Sequence, residues 1–330
     1  MNSNTKIYPA MQLGKWCAYW FDHTDYRRSM TTNAKYEEII TRVIQPYFRD
    51  IALCEIDTEL IQKFLNELAA KGYSASRVAM IRSILGAIMC YAVNHNLIRR
   101  NPGLLANSEK RHRSDIHILS DDDIRKLIRL QNDSQYVSVT LFTLFMGLRI
   151  GETLGLSWDK VNFEENTVEI SQQAVSYYKN GKTLQSIVPY TKEKNKRILP
   201  LPEIARNLLV MQRDKHIDSD NNLVFTENNG MMMLYPSFYY NFNKLMKSIG
   251  RDDVTPHDLR HTMASTLLYS TDDILLLKEF LGHNSLNTTF RYPTATLQER
   301  QETANAIDDY FMPMLCEVFG NYEGDEYQCL

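Results

Sequence analysis

Residues 255–261 read Thr255-Pro256-His257-Asp258-Leu259-Arg260-His261, and residues 281–285 read Leu281-Gly282-His283-Asn284-Ser285. Tyr292 follows nine residues after His283, within Phe290-Arg291-Tyr292-Pro293. Pro256 stands where a helix starts, because a first-turn residue needs no N–H and the ring presets φ. His257 and Arg260 then fall at i and i+3, on one face. The apolar spacing predicts helices over 257–269 and 272–281. A mainly helical fold therefore presents histidines and an arginine at helix starts and turns.

The same pattern extends in both directions. Upstream, helices are predicted over 33–48, 58–70 and 75–97. Thr58 is placed as the N-cap of the second, and Gly72 as its stop. Val78, Ile81, Leu85, Ile88 and Val93 form a one-sided stripe in the third, suited to a small helical bundle. Arg100-Asn101-Pro102-Gly103 ends it. Residues 103–118 read as a polar linker containing Lys110-Arg111-His112-Arg113. A second domain begins near Leu119, where Ser120 and Asp123 form a capping box. Helices are predicted at 121–132, 136–147, 150–156, 203–214, 237–249 and 297–311, and short strands at 167–171, 186–191 and 197–200, with Asn180-Gly181 as a turn signal. The fold class is mainly α with one small antiparallel β-sheet. The domains are residues 1–102, a linker at 103–118, and residues 119–330.

The 330 residues are 44% hydrophobic and 23% charged, a globular composition that excludes a wholly disordered or collagen-like chain. No stretch approaches the ~18 uninterrupted apolar residues of a membrane span, and the N-terminus has no apolar signal core, so a cytoplasmic protein is expected. Cys17, Cys54, Cys90, Cys316 and Cys329 are odd in number and lack metal-site spacing, which predicts reduced thiols. The net charge is −3, yet residues 1–112 carry 15 Lys and Arg against 10 Asp and Glu, whereas the remainder is acidic, including Glu317, Glu323, Asp325 and Glu326. A basic front half suits a polyanion even when the total is acidic.

The chemistry-bearing residues fall in four segments. Leu144–Leu156, LFMGLRIGETLGL, sets Arg149 after a Gly-Leu break between two apolar helices. An arginine there requires an anion or carboxylate, and Glu152 lies three residues on. Lys192 lies in a hairpin region, in Pro189-Tyr190-Thr191-Lys192. His257, Arg260, His283 and Tyr292 complete the set. His257 and His261 at i and i+4 also match a two-histidine metal pair. Asp258 stands where the zinc-protease motif has Glu, and only His283 offers a third ligand, which counts against that reading. The whole set meets the needs of phosphoryl transfer to a tyrosine. Arginine forks neutralise the nonbridging oxygens bidentately and histidines add directed hydrogen bonds. A cationic pocket favours the phenolate of a tyrosine whose pKa is otherwise ~10. A lysine supplies the proton that the leaving oxygen requires. No metal or nucleotide cofactor is needed, since the phosphotyrosine bond conserves the energy for rejoining.

Arg149-Ile150-Gly151-Glu152 after a Gly-Leu turn, Thr191-Lys192 before a basic strand, HDLRH, LGHNS and then the tyrosine together resemble the tyrosine recombinase, or phage integrase, family. The resemblance covers nearly the whole chain, since residues from about 10 to 102 are similar to the family's helical, SAM-like core-binding domain. It implies that Arg149 and Arg260 grip the scissile phosphate, with His257 and His283 as their partners. Lys192 would be the general acid, Tyr292 the nucleophile, and Glu152 the support of the first arginine. The implied activity is site-specific recombination of duplex DNA through a 3′-phosphotyrosine, most naturally the integration and excision of a phage or conjugative transposon. The implied partners are double-stranded core sites, a homotetramer on two sites, and a directionality factor or DNA-bending protein, with no membrane. Residues 297–330 match the segment that family members pass to a neighbouring subunit. About ten residues precede the core-binding resemblance, so a two-domain enzyme without an arm-binding domain is expected. The alternatives are a Xer-like resolvase, a DNA-binding protein without catalysis, and a type IB topoisomerase sharing the phosphotyrosine chemistry.

Overall fold

The computed structural model describes residues 10–24, 28–104, 106, 116–179, 182–189, 196–215, 221–271 and 297–320. The chain divides into two compact units, residues 1–114 with 177–184, and residues 115–176 with 185–330. The basic linker residues 110–113, the turn at Asn180-Gly181 and the helix expected at 272–281 lie outside the described residues.

The first unit is helical: α1 (Leu13–Thr24), α2 (Met30–Ile39), α3 (Gln45–Phe48), α4 (Thr58–Ala70) and α5 (Ala75–Asn94). The single helix expected over 33–48 is interrupted by a π-turn at Ile40–Ile44. Pro46, in the first turn of α3, has no N–H to offer the preceding turn, and the wider π-turn absorbs that lost bond. Asp57, not Thr58, caps α4, its carboxylate accepting from the Leu60 N–H at 2.8 Å. Thr58 is the first helical residue, and its hydroxyl donates to the Pro102 carbonyl at 3.2 Å. α5 is long and apolar enough to cross a membrane, but Ile81, Ile84, Leu85 and Ile88 form the unit's core with Trp16, Phe48 and Phe64. The indole N–H of Trp16 is buried and donates to the Ile88 carbonyl at 3.2 Å. Cys17 is buried in the same core, which pushes its thiol up to about 12.

The second unit is built round α7 (Gln135–Met146), which follows α6 (Asp121–Arg129). Every residue of α7 from Val137 to Met146 is buried, the mark of a helix enclosed on all sides. Ser120 caps α6 with Asp123 in the reciprocal role, as the sequence predicts. α8 (Ile150–Leu154) follows, then β1 (Val161–Asn162), β2 (Thr167–Ile170), β3 (Gln172–Lys179), β4 (Lys182–Pro189) and β5 (Arg197–Pro200), the end of β3 and the start of β4 being counted with the first unit. The strands form two sheets rather than one. β1, β2 and β5 make an antiparallel sheet with Ile170 opposite Arg197 and Val168 opposite Leu199, and β3 pairs with β4. Helices α9 (Glu203–Asp214), α10 (Tyr235–Ser248), α11 (Pro256–Thr271) and α12 (Leu297–Phe319) complete the unit.

α12 runs through Pro313 to Phe319, past the expected end at 311. A proline inside a helix costs ~3 kcal/mol. Burying Met314 and Leu315 beyond it contributes about 1.5–3 kcal/mol each, so continuation wins. Ala304, Ile307 and Phe311 turn inward on the unit's own core, where the Phe311 ring lies 5.0 Å from that of Phe145. The Asp308 carboxylate accepts from the Glu203 and Ile204 N–H groups at 2.7 and 3.0 Å. It thereby caps α9, whose own N-cap residue is Pro202 with no side chain to accept. The Tyr310 hydroxyl donates to Asp121 at 2.5 Å.

This packing sets a measurable expectation. Phe311→Ala should cost about 3–5 kcal/mol of stability, read as a fall in the urea midpoint of the intact chain, because it opens a cavity beside Phe145. A loss under 1 kcal/mol would show that α12 is not part of the core.

Candidate active site

Gly147 ends α7 in the left-handed conformation at φ 56°, a geometry that favours glycine. The chain turns there and restarts as α8 with Arg149 as its N-cap residue. The Glu152 carboxylate, one turn on, accepts from the Arg149 backbone N–H at 2.9 Å and from its guanidinium Nη1 at 3.1 Å. Arg197, first residue of β5, reaches the same carboxylate with a fork: Nη1 to Oε1 and Nη2 to Oε2, both at 3.0 Å. Glu152 has no exposed side-chain surface, Arg197 has 10% and Arg149 has 36%. Burial alone would raise the Glu152 carboxyl, but the Arg197 hydrogen bonds and charge, with the Arg149 contacts, outweigh it and hold it below its ordinary range. One carboxylate is shared by two guanidiniums, and Arg149 is the more exposed end of the triad.

The second arginine arrives from α11. Thr255 and Asp258 bracket the start of that helix: the Asp258 carboxylate accepts from the Thr255 N–H at 2.8 Å and from its hydroxyl at 2.6 Å. Asp258 is thus occupied in closing its own helix terminus. Arg260, one turn in, is 1% exposed and donates Nη1 to the Gly147 carbonyl at 2.7 Å. The turn that presents Arg149 is therefore the turn that holds Arg260. His257 lies at the exposed start of α11, its ring 4.6 Å from that of His261 and perpendicular to it. Partial burial, and then the fields of His261, Arg260 and Arg149, lower its pKa, against an opposing contribution from Asp258. The imidazole is therefore neutral at pH 7 and has one N–H to donate.

Arg149, Arg260 and His257 are thus gathered around one turn and one helix start. Lys192, His283 and Tyr292 lie outside the described residues. Arg197 is the residue that motif reading missed. The residue types of β5, Arg197-Ile198-Leu199-Pro200, do not alternate and gave no local signal; pairing with β2 sets the register that puts Arg197 on the same inward face as the buried Leu199.

α8 is also pressed against β3. A Cβ on Gly151 would lie 2.8 Å from the Ala174 carbonyl oxygen, and one on Gly155 2.6 Å from the Ala174 nitrogen. Both are backbone clashes, so glycine is what allows this approach. The Gln172 amide secures the junction by donating to the Gly155 carbonyl at 2.7 Å.

Comparison with known proteins adds to this geometry. The model of the phage integrase family matches residues 117–299, and that of the phage integrase N-terminal SAM-like domain matches residues 12–69. Tyrosine recombinase XerC of Thermodesulfovibrio yellowstonii is 28% identical over 253 residues, covering 74% of this chain and 79% of that protein. ICEBs1 integrase of Bacillus subtilis is 27% identical over 299 residues, covering 86% and 79%. Among solved structures, the Tn1549 transposon integrase in complex with circular intermediate DNA has a TM-score of 0.68 at 19% identity, over 88% of this chain and 98% of that one. A lambda integrase tetramer bound to a Holliday junction has a TM-score of 0.62 at 18% identity, over 84% and 76%. These structural likenesses establish the shared fold.

Two consequences are measurable. Glu152→Gln removes the negative charge between two arginines, and removing one partner of a buried ion pair costs about 3–5 kcal/mol. Urea unfolding of the variant should show a loss of that order, and an unchanged midpoint would mean that the triad contributes nothing. For His257, the folded imidazole binds a proton less readily than its ordinary 6.5. Its contribution to stability is complete above that pH and is lost as the pH falls through 6.5 towards the depressed folded value. The stability of His257→Gln should therefore decline less than that of the parent between pH 7 and pH 5, as followed by urea midpoints, and parallel declines would contradict it.

Proposed function

The chain belongs to the phage integrase family of tyrosine recombinases, enzymes that cleave and rejoin DNA, and we propose that it integrates and excises a mobile element by site-specific recombination. The observation that carries this reading is the gathering of Arg149, Arg260 and His257 around the Gly147 turn, with the Arg149 guanidinium at its more exposed end. A scissile phosphate placed there meets two guanidiniums and an imidazole N–H, which stabilise the charge that grows on its nonbridging oxygens. In the proposed step the Tyr292 hydroxyl gives up its proton to solvent, and the phenolate oxygen attacks phosphorus and forms the phosphotyrosine bond. The bond from phosphorus to the 5′ oxygen breaks, and Lys192 gives that oxygen its proton. His283 adds a second imidazole to the phosphate. Rejoining is the reverse, with the 5′ hydroxyl of the exchanged strand as nucleophile.

The mobile-element role draws on the similar proteins. ICEBs1 integrase matches over a larger share of this chain than the XerC protein of Thermodesulfovibrio yellowstonii does, 86% against 74%. The Tn1549 protein is a transposon integrase. A Xer-like resolvase is the alternative, favoured by the several relatives with Xer names. The proposed substrate is duplex DNA carrying core sites, bound mainly through its phosphates and therefore with a steep salt dependence. Four copies would act on two sites, as in the lambda integrase tetramer on a Holliday junction, in the cytoplasm on the nucleoid. Because α12 is part of the core, a subunit-exchange role falls more naturally to residues 321–330 than to the whole segment from 297.

The test is cleavage of a nicked suicide duplex carrying the attachment site, in EDTA, by the parent protein and by Tyr292→Phe. A covalent protein–DNA band from the parent alone is expected. A band from both would mean that another tyrosine attacks. No band from either, on a site shown to bind, would favour DNA binding without catalysis.

A further inference from the structure

Arg197 enters the second unit on the inward face of β5, opposite Ile170. Its guanidinium is nine-tenths buried and forks onto both oxygens of Glu152. Those same two oxygens orient Arg149, one through its backbone N–H and one through Nη1. The two contacts on the Arg149 side come from a single residue on the same helical turn. The terminal torsion of a glutamate is broad and roughly two-fold, so such contacts fix its plane only loosely. A planar guanidinium fork from a strand fixes it in two directions at once. Arg149 itself has a long side chain and is a third exposed, so the direction of its guanidinium depends on where Oε1 is held.

We propose that Arg197 is a positioning residue for strand cleavage: by locking the plane of the Glu152 carboxylate from the β5 side, it aims the Arg149 guanidinium at the nonbridging oxygens of the scissile phosphate. This rests on the reading of Arg149 as a phosphate ligand. It differs from a purely structural role in one respect. A structural role affects all DNA binding alike, whereas an aiming role affects the response to phosphate charge.

The experiment measures affinity in the full-length Tyr292→Phe background, where no cleavage occurs. The two probes are identical duplexes with a phosphodiester or a neutral methylphosphonate at the scissile position. A hydrogen-bonded charge contact corresponds to roughly a tenfold preference for the charged duplex. Arg149→Ala should reduce that preference at least threefold, Arg260 and His257 keeping the remainder. Arg197→Met should reduce it at least threefold, and Arg197→Lys, a point charge without the fork, should fall between Arg197→Met and the parent. Circular dichroism melts identify variants that remain folded at the assay temperature. Should Arg197→Met fail to fold, the conservative Arg197→Lys carries the decision by the same ratio.

Equal weakening of both duplexes by the Arg197 variants would overturn the proposal and leave a structural role. An unchanged ratio with unchanged affinities would overturn it as well. A parent with no preference for the charged duplex, or an Arg149→Ala variant whose preference equals the parent's, would instead overturn the assignment of Arg149 as a phosphate ligand, and this outcome is separable from the others. In the Tyr292 background, Arg197→Met should slow covalent complex formation by about 10–100-fold, the range typical of lost supporting contacts. A rate within twofold of the parent would count against the proposal.

Discussion

Burying the Glu152 carboxylate alone would cost several kcal/mol, and only paired, hydrogen-bonded charges make such a position tenable. Two guanidiniums meet it there, and each is delivered by a different element. Arg149 comes from the turn that begins α8 and Arg197 from the strand β5. The need to keep one buried charge neutralised therefore ties a helix start to a sheet. A third constraint meets them at Gly147, whose carbonyl receives Arg260 from α11. Among the described residues, the geometry of the site follows from these few polar contacts set into an apolar unit.

The apolar surroundings give those contacts their strength. α7 is enclosed on every side, so its C-terminal turn is a rigid platform for Gly147 and Arg149. Gly151 and Gly155 let the β3 backbone come close to α8. A side chain at either position would have to move backbone, and in a densely packed interior such a displacement is passed on to neighbouring groups. Small residues at these two positions are therefore part of how the arginine is placed, although neither touches it.

The parts of this arrangement that are local in the chain were legible in the sequence. The bounds of α4, β5 and α9 match those expected, because caps and stops are short-range signals. Arg149 with Glu152, and His257 with Arg260, are neighbours one helical turn apart and could be read as pairs. The long-range contacts could not. Arg197 meets Glu152 across 45 residues, and Arg260 meets Gly147 across 113. No periodicity encodes such a meeting. β3 was missed because QQAVSYYK alternates poorly, and tertiary approach to α8 supplies what propensity does not. The extension of α12 was missed because proline is a strong local signal that packing overrode. Lys192, His283 and Tyr292 were read from the motif and belong to the proposed function.

The capping of α9 by Asp308 bears on the order in which the protein can form. The core of the first unit is complete within residues 11–106. It can therefore close while the later sequence is still being synthesised, as N-terminal domains generally do. The second unit cannot. Its central helix is flanked by Phe311, and α9 obtains its cap from residue 308, so both wait for α12, more than 90 residues after α9 begins. A ribosome-bound chain would thus carry a folded first core for some time before the arginines of the second unit are assembled. Catalytic competence would then wait on α12, long after the first core has closed.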